Sequence, residues 1–451
     1  MAHARHAYDW DYIWMLAFTA LLFFRPQDHI PALESLHLAE LSAIAGLAAM
    51  AVRRLRSGQT AAKITAEVVT VGLLGAIILL TIPFSFWPGG SLAVFTDIYV
   101  KIILIFALMI STLTSPRRLY QMTWLMIVAS GYIAGRGVID YLSGVNLVDG
   151  DRLAGAVGGM FKNPNDLALN LVTFLAPTLF IVVQERRVPR RVFASALAVL
   201  MVTATVFTKS RSGFLGLLAM TAVVIYYTAR LKPGLVLAIV TAGLLALPAM
   251  PASFWTRMDS IFNAAEDPTG SRAARIRLLN QAVDVFADNP LTGIGAGQFQ
   301  NYNGPGIIEK WRVTHNVWLQ VAAELGVFGL AAFAFLVARA YAACFVTLRR
   351  LSAPARGVKW RVRSGPPVAR ELLADAFDPE ERRILTMNAR SMIGGLVGWT
   401  ICALFASVAF NWTFYFVLAL AVSGRDIVVS RQTAAPARIR SRAPGLVRVP
   451  A

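Results

Sequence analysis

Charged residues are scarce in this chain. Asp, Glu, Lys and Arg make up 15% of its 451 residues, against about 25% in a soluble globular protein. That shortage excludes a string of ordinary water-soluble domains. Cysteine is nearly absent, with only Cys344 and Cys402. Two are too few for a disulfide scaffold or a Cys-ligated metal cluster. The five histidines show neither His-x-x-x-His nor His-Glu-x-x-His spacing, which argues against zinc. The outer loops hold one Asp-x-Asp, Asp149-Gly150-Asp151, and no larger acidic cluster, so a site holding Mg²⁺ or Mn²⁺ against a diphosphate is not expected. No basic stretch precedes the first apolar run and no small-residue cleavage site follows it, so no cleavable signal peptide is expected. There is no internal repeat, which weakens a carrier built from repeated halves.

What the chain has instead is apolar length. Hydrophobic residues make up 57% of it. Twelve apolar segments recur, at about 11–24, 36–52, 66–86, 93–113, 119–139, 167–183, 192–208, 212–228, 234–250, 316–338, 391–407 and 410–424. Most are long enough to cross a bilayer; the first is short. The expected fold is an all-α polytopic integral membrane protein with about twelve transmembrane helices. Residues 1–250 would hold nine of them with short loops, and 251–315 a long outer loop with an amphipathic helix. The tenth helix is expected at 316–340, a basic inner loop at 341–390, two more helices at 391–425 and a basic tail at 426–451.

The formal net charge of +18 would suggest nucleic acid in a soluble protein. Here the basic clusters alternate. Arg53-Arg54-Leu55-Arg56, Arg117-Arg118, Arg186-Arg187, Arg190-Arg191, Arg230 with Lys232, the 339–390 segment and the tail all fall on one side of the threaded chain. Such asymmetry marks the cytoplasmic face. Both termini are therefore expected inside and the 251–315 loop outside, with membrane lipid rather than nucleic acid as the partner of the basic excess. The 341–390 loop would be attracted to anionic lipid. Within it, Asp378-Pro379-Glu380-Glu381 reads as a helix start that continues into the eleventh span.

Several residues carry possible chemistry. In the outer loop, Ser271 can cap a helix that Asn289-Pro290 ends. Helical spacing puts Arg275, Leu279, Ala282 and Phe286 on one face and Arg277, Gln281, Asp284 and Asp288 on the opposite one. Arg275 heads the apolar stripe, so it must point toward the membrane domain and needs an anionic partner. That partner is either a carboxylate such as Asp259 or Asp97, or a phosphate, which suits a guanidinium fork. Gly293-Ile294-Gly295-Ala296-Gly297 lacks the dinucleotide fingerprint and reads as a flexible turn lying close to the membrane domain. His315 is expected in the first turn of the tenth helix, where the helix dipole disfavours the imidazolium. It is either a neutral general base or an interfacial anchor beside Trp318. Lys209 and Arg211 put positive charge at the outer end of the eighth span. They either bind an anion at a helix N-terminus, with Ser210 and Ser212 as added donors, or snorkel to headgroups. Arg136 poses the same question. Lys101 is expected to pair with Asp97 four residues earlier. Glu324 lies about 180° around the helix from His315, so the two are not expected to share a pocket.

The string His315-Asn316-x-x-Leu319 followed by Glu324-Leu325-Gly326-x-x-Gly329, with Arg211 and Arg275 upstream, resembles the hallmark of the O-antigen ligase/polymerase superfamily. Asn289-Pro290-Leu291-Thr292-Gly293-Ile294-Gly295 and the outer loop Phe161-Lys162-Asn163-Pro164-Asn165-Asp166 resemble stretches of the same family. The opening Leu21-Leu22-Phe23-Phe24-Arg25-Pro26-Gln27-Asp28 is similar to a narrower branch, the O-glycosylation ligases associated with exosortase A. The resemblance spans roughly 65–425 and is densest at 208–330. It implies a GT-C-like glycosyltransferase of the bacterial inner membrane. Such an enzyme takes a glycan from undecaprenyl diphosphate at the periplasmic face and joins it to an acceptor hydroxyl, with no metal and no cofactor. By that resemblance Arg211 and Arg275 hold the diphosphate and His315 activates the acceptor. Lys209, Arg136, Arg277 and Asn316 are further candidates for substrate contact. One departure is Leu279, where family members often have Trp. A polymerase of lipid-linked units is the nearest alternative, and a lipid-linked glycan carrier a more distant one.

Overall fold

The computed structural model describes residues 9–28, 30–149, 151–155, 161–229, 232–246, 248, 250, 252–259, 271–302, 312–352, 360–362, 377–442 and 446–448. Arg230 and most of the 341–390 loop beyond Ser352 lie outside the described residues.

Each of the twelve apolar segments falls on a helix. In chain order the helices are α1 (Trp10–Phe24), α2 (Leu38–Arg56), α3 (Ala66–Thr81), α4 (Pro88–Ala93), α5 (Val100–Thr112), α6 (Pro116–Leu142), α7 (Pro164–Gln184), α8 (Val188–Phe207), α9 (Arg211–Thr228), α10 (Pro233–Ala246), α11 (Ala252–Asp259), α12 (Ser271–Asp288), α13 (Val317–Ser352), α14 (Pro379–Ala403) and α15 (Trp412–Arg442). Among the described residues, nine helical stretches are long and apolar enough to cross a membrane. The protein is an all-α polytopic membrane protein.

Three of the twelve fall outside that set. Helices α1 and α10 have 15 and 14 residues. Helix α14 has 25, but Asn388, Arg390 and paired glycines dilute its apolar character. It needs no lipid-facing surface, because it is the central helix, packed against α6, α7, α9, α13 and α15. Small residues let these backbones approach: a Cβ on Gly216 of α9 would sit 3.0 Å from the Gly398 carbonyl of α14. Helix α14 starts as expected, with Asp378 Oδ1 accepting from the Glu381 N–H at 2.7 Å and Pro379 in its first turn.

Lys101 does not pair with Asp97. Its Nζ meets Glu40 Oε1 of α2 at 2.9 Å. The cause is local: Val94–Tyr99 form a π-helical turn between α4 and α5, which is wider than an α turn and breaks the i, i+4 alignment. Helix α13 runs past the expected end of its span to Ser352 and is broken at Gly326, where φ is 65°. Val327 N–H then donates to the Pro290 carbonyl instead of within the helix. A short antiparallel pair, Trp360–Val362 with Leu446–Arg448, joins the 341–390 segment to the tail. Nothing in the apolar patterning pointed to it.

Candidate active site

Two helix N-termini meet at the site, and the first of them lines it. At the start of α7, Asn163 Oδ1 accepts from the Asn165 N–H at 2.8 Å and Pro164 occupies the first turn. Ser210 caps α9, accepting from the Gly213 N–H at 3.1 Å. The two ends are tied by Ser210 Oγ donating to Asn165 Oδ1 at 2.7 Å. Arg152, on the hairpin strand Arg152–Leu153, locks into the same junction. Its Nη2 donates to Asn165 Oδ1 at 3.2 Å, its Nε to the Thr208 carbonyl at 3.2 Å and its Nη1 to Asp149 Oδ2 at 2.9 Å. With 6% of its surface exposed, its position is fixed.

The roof is α12. Leu278, Ala282 and Val285 pack on Ile294, Phe299 and Ala323. The buried stripe is therefore centred on Leu278, one residue from the expected Arg275–Phe286 face, and Gln281, expected wet, is buried. The reason is what lies beneath: α12 docks on the 293–299 segment and α13. That segment is not the flexible turn its glycines suggested. Ile294 N–H donates to the Ala323 carbonyl and Gly295 N–H to the Glu324 carbonyl, both at 2.9 Å. Ser85 Oγ and Ser91 Oγ hold the Ile294 and Ala296 carbonyls at 3.2 Å. Gly295 has φ of 99°, a conformation that L side chains rarely adopt.

Between the α7 start and α12 is a cavity of about 490 Å³. Arg275 and His315 both line it, with Arg152, Lys162, Arg312 and the α7 start at Asn163–Asn165. Asp149 is the one carboxylate among its described lining residues. His315 precedes α13 rather than sitting in its first turn. Its backbone has φ of 51°, and its N–H donates to Ser407 Oγ at 3.0 Å. Burial pushes the His315 imidazole down to about 4 from an ordinary 6.5, and the charges of Arg275, Arg312 and Arg152 push the same way. An imidazole held neutral in this way keeps its lone pair free at neutral pH, but so low a value makes it a weaker base than one poised near 7, and an anion bound in the cavity would raise it.

The other expected residues do not line this cavity. Arg211 is half-buried at the start of α9, and its charge acts on Arg152. It is not among the cavity's lining residues. Lys209 is buried, paired with Asp151 and lying over the Tyr141 ring at 5.9 Å. Arg136 approaches Asp140 of its own helix at 3.9 Å. Arg277 is exposed on α12, away from the cavity. Asn316 caps α13, its Oδ1 accepting from Trp318 N–H at 2.9 Å and Leu319 N–H at 3.0 Å. Glu324 lines a different cavity from His315. The Asp259 side chain lies outside the described residues. Among the described residues no group of three or more His, Cys, Asp or Glu converges.

Arg152, Lys162 and Arg312 were missed. They too are cations in loops on the expected outer side, so the rule that singled out Lys209 and Arg211 applied to them. No curated protein matches the chain. Residues 196–334 match the family described as O-antigen ligase, a stretch that includes Arg211, Arg275, Arg312 and His315. Over residues 196–334, less than half of its length, the chain is similar to the O-antigen ligase family.

Proposed function

We propose that the protein moves a glycan from undecaprenyl diphosphate to an acceptor hydroxyl at the periplasmic face of the bacterial inner membrane, without a metal. The observation that carries this reading is one cavity where Arg275, Arg152, Lys162 and Arg312 surround His315. The diphosphate would lie against Arg275 and Arg152, with Arg211 reaching toward it from the start of α9, outside the cavity's lining. The N-termini of α7 and α9 add their own positive dipole ends. As the bond from the anomeric carbon to the diphosphate oxygen breaks, negative charge grows on the leaving group, and preorganised cations stabilise it there. His315 takes the proton from the acceptor hydroxyl while its oxygen bonds to the anomeric carbon with inversion. The products are the glycosylated acceptor, undecaprenyl diphosphate and an imidazolium that returns its proton to water.

A polymerase differs only in using another lipid-linked unit as acceptor. A carrier would instead need charge along a path through the bilayer. The narrower exosortase-associated reading would favour a protein or exopolysaccharide acceptor, and exosortase genes beside this one would support it. The test is transfer from purified lipid-linked donor by the protein in nanodiscs. Transfer should persist in EDTA, and products of a single added glycan would favour ligase over polymerase. Loss in EDTA with rescue by Mg²⁺ or Mn²⁺ would contradict the arginine-based account.

A further inference from the structure

A second cavity of about 500 Å³ borders the same turn that carries His315. Arg312 and His315 line the cationic cavity, whereas Val313 between them lines this one. Ser407 also lines it, and the Ser407 hydroxyl is bonded to the His315 backbone N–H and to Thr314 Oγ1. The chemistry of the two spaces differs. No Lys or Arg is among the described residues lining the second. It presents the Glu324 carboxylate and the amides of Gln320, Asn411 and Gln300 beside the rings of Phe410 and Trp412.

Its polar groups are held in place. Glu324 Oε2 accepts from the Gly297 N–H at 2.8 Å, and Gln320 Oε1 from the Ala409 N–H at 3.2 Å. Asn411 Oδ1 accepts from the Thr413 N–H at 3.0 Å. Val94 and Ile98 line the cavity from the π-helical turn, a distortion that recurs at functional sites. Planar carboxylate and amide groups suit adjacent hydroxyls, and aromatic faces suit the apolar face of a pyranose ring. A diphosphate would find no cation among the described residues lining this space and would be drawn to the cationic cavity instead.

We propose that this second cavity binds an uncharged, hydroxyl-rich sugar of the acceptor, with Glu324 and Asn411 taking its hydroxyls and Phe410 and Trp412 packing its ring. The inference rests on the transfer reading above and adds the acceptor's chemical class and place. The bound sugar would anchor the acceptor, whose reacting hydroxyl must extend into the cationic cavity, because His315 lines that cavity and not this one.

The test uses the full chain in nanodiscs and diazirine-bearing methyl glycosides of glucose, galactose and rhamnose as probes. Photolabelling should fall on peptides containing Val94–Ile98, Gly297–Gln300 or Phe410–Trp412. Ile98→Trp fills the cavity from a side chain 39% exposed and should reduce labelling at least tenfold, with donor affinity unchanged within twofold. Glu324→Gln keeps the shape and should also weaken labelling. Labelling that is absent, that maps to the Arg275 cavity, or that is equal in Ile98→Trp and wild type overturns the proposal. Failure of wild type to bind the lipid-linked diphosphate overturns the functional reading itself, and with it the acceptor role.

Discussion

Replacing Arg275 should move the acid limb of transfer to higher pH. His315 is held at about 4 rather than 6.5, a difference worth roughly 3 kcal/mol against the imidazolium. Burial is the largest cause, and Arg275 is the first of three cations that add to it. Removing one such cation from a partly wet cavity should return on the order of 1 kcal/mol, a little under one pKa unit. The sign follows from the depressed value. Wild-type His315 stays neutral until pH falls through about 4, so kcat/KM for the donor should decline only there. In Arg275→Gln the decline should begin nearly a unit higher. Bound diphosphate acts in the same direction by adding negative charge, so the limb of kcat should lie above that of kcat/KM. The assay is a pH profile of both quantities, paired with ¹⁵N-histidine titration of the purified protein. A limb near pH 6.5 in wild type, or one that moves down in Arg275→Gln, would refute the reasoning.

Three further outcomes are expected. Arg275→Ala should cut transfer by roughly 10²–10³-fold, the usual worth of a group aimed at developing charge, while Arg277→Ala, exposed on α12, should keep activity within about twofold; a side-by-side transfer assay decides. Asn165→Ala removes the acceptor shared by Ser210 Oγ and Arg152 Nη2, which should cost about 1–3 kcal/mol, read as a lower Tm together with weaker donor binding. Alkaline phosphatase fused within 251–315 should be active and within 341–390 inactive; the reverse would turn the site toward the cytoplasm.

Long-range patterning was readable because it follows directly from solvent. Each apolar segment became a helix, and Asp378-Pro379 started α14 where capping chemistry put it. Arg275 stood out as a charge expected on an apolar face, and the structure brings it into one cavity with His315. What the sequence hid depended on tertiary partners. The π-helical turn at Val94–Tyr99 moved Lys101 onto Glu40. The phase of α12 was set by docking on Ile294, Phe299 and Ala323, surfaces that helical periodicity alone does not reveal. Arg152 sits on a two-residue strand, too short to leave a pattern, and its importance comes from Asn165 and Thr208, far from it in sequence.

The most direct test measures donor affinity and transfer rate on the same folded preparation of His315→Ala. The account predicts donor binding close to wild type, because the cations hold the diphosphate, and turnover reduced by roughly 10²–10⁴-fold, the usual worth of a positioned proton acceptor. Wild-type turnover would make His315 an interfacial anchor, and lost donor binding with normal turnover at saturation would make it a diphosphate ligand; either result would contradict its assignment as the general base.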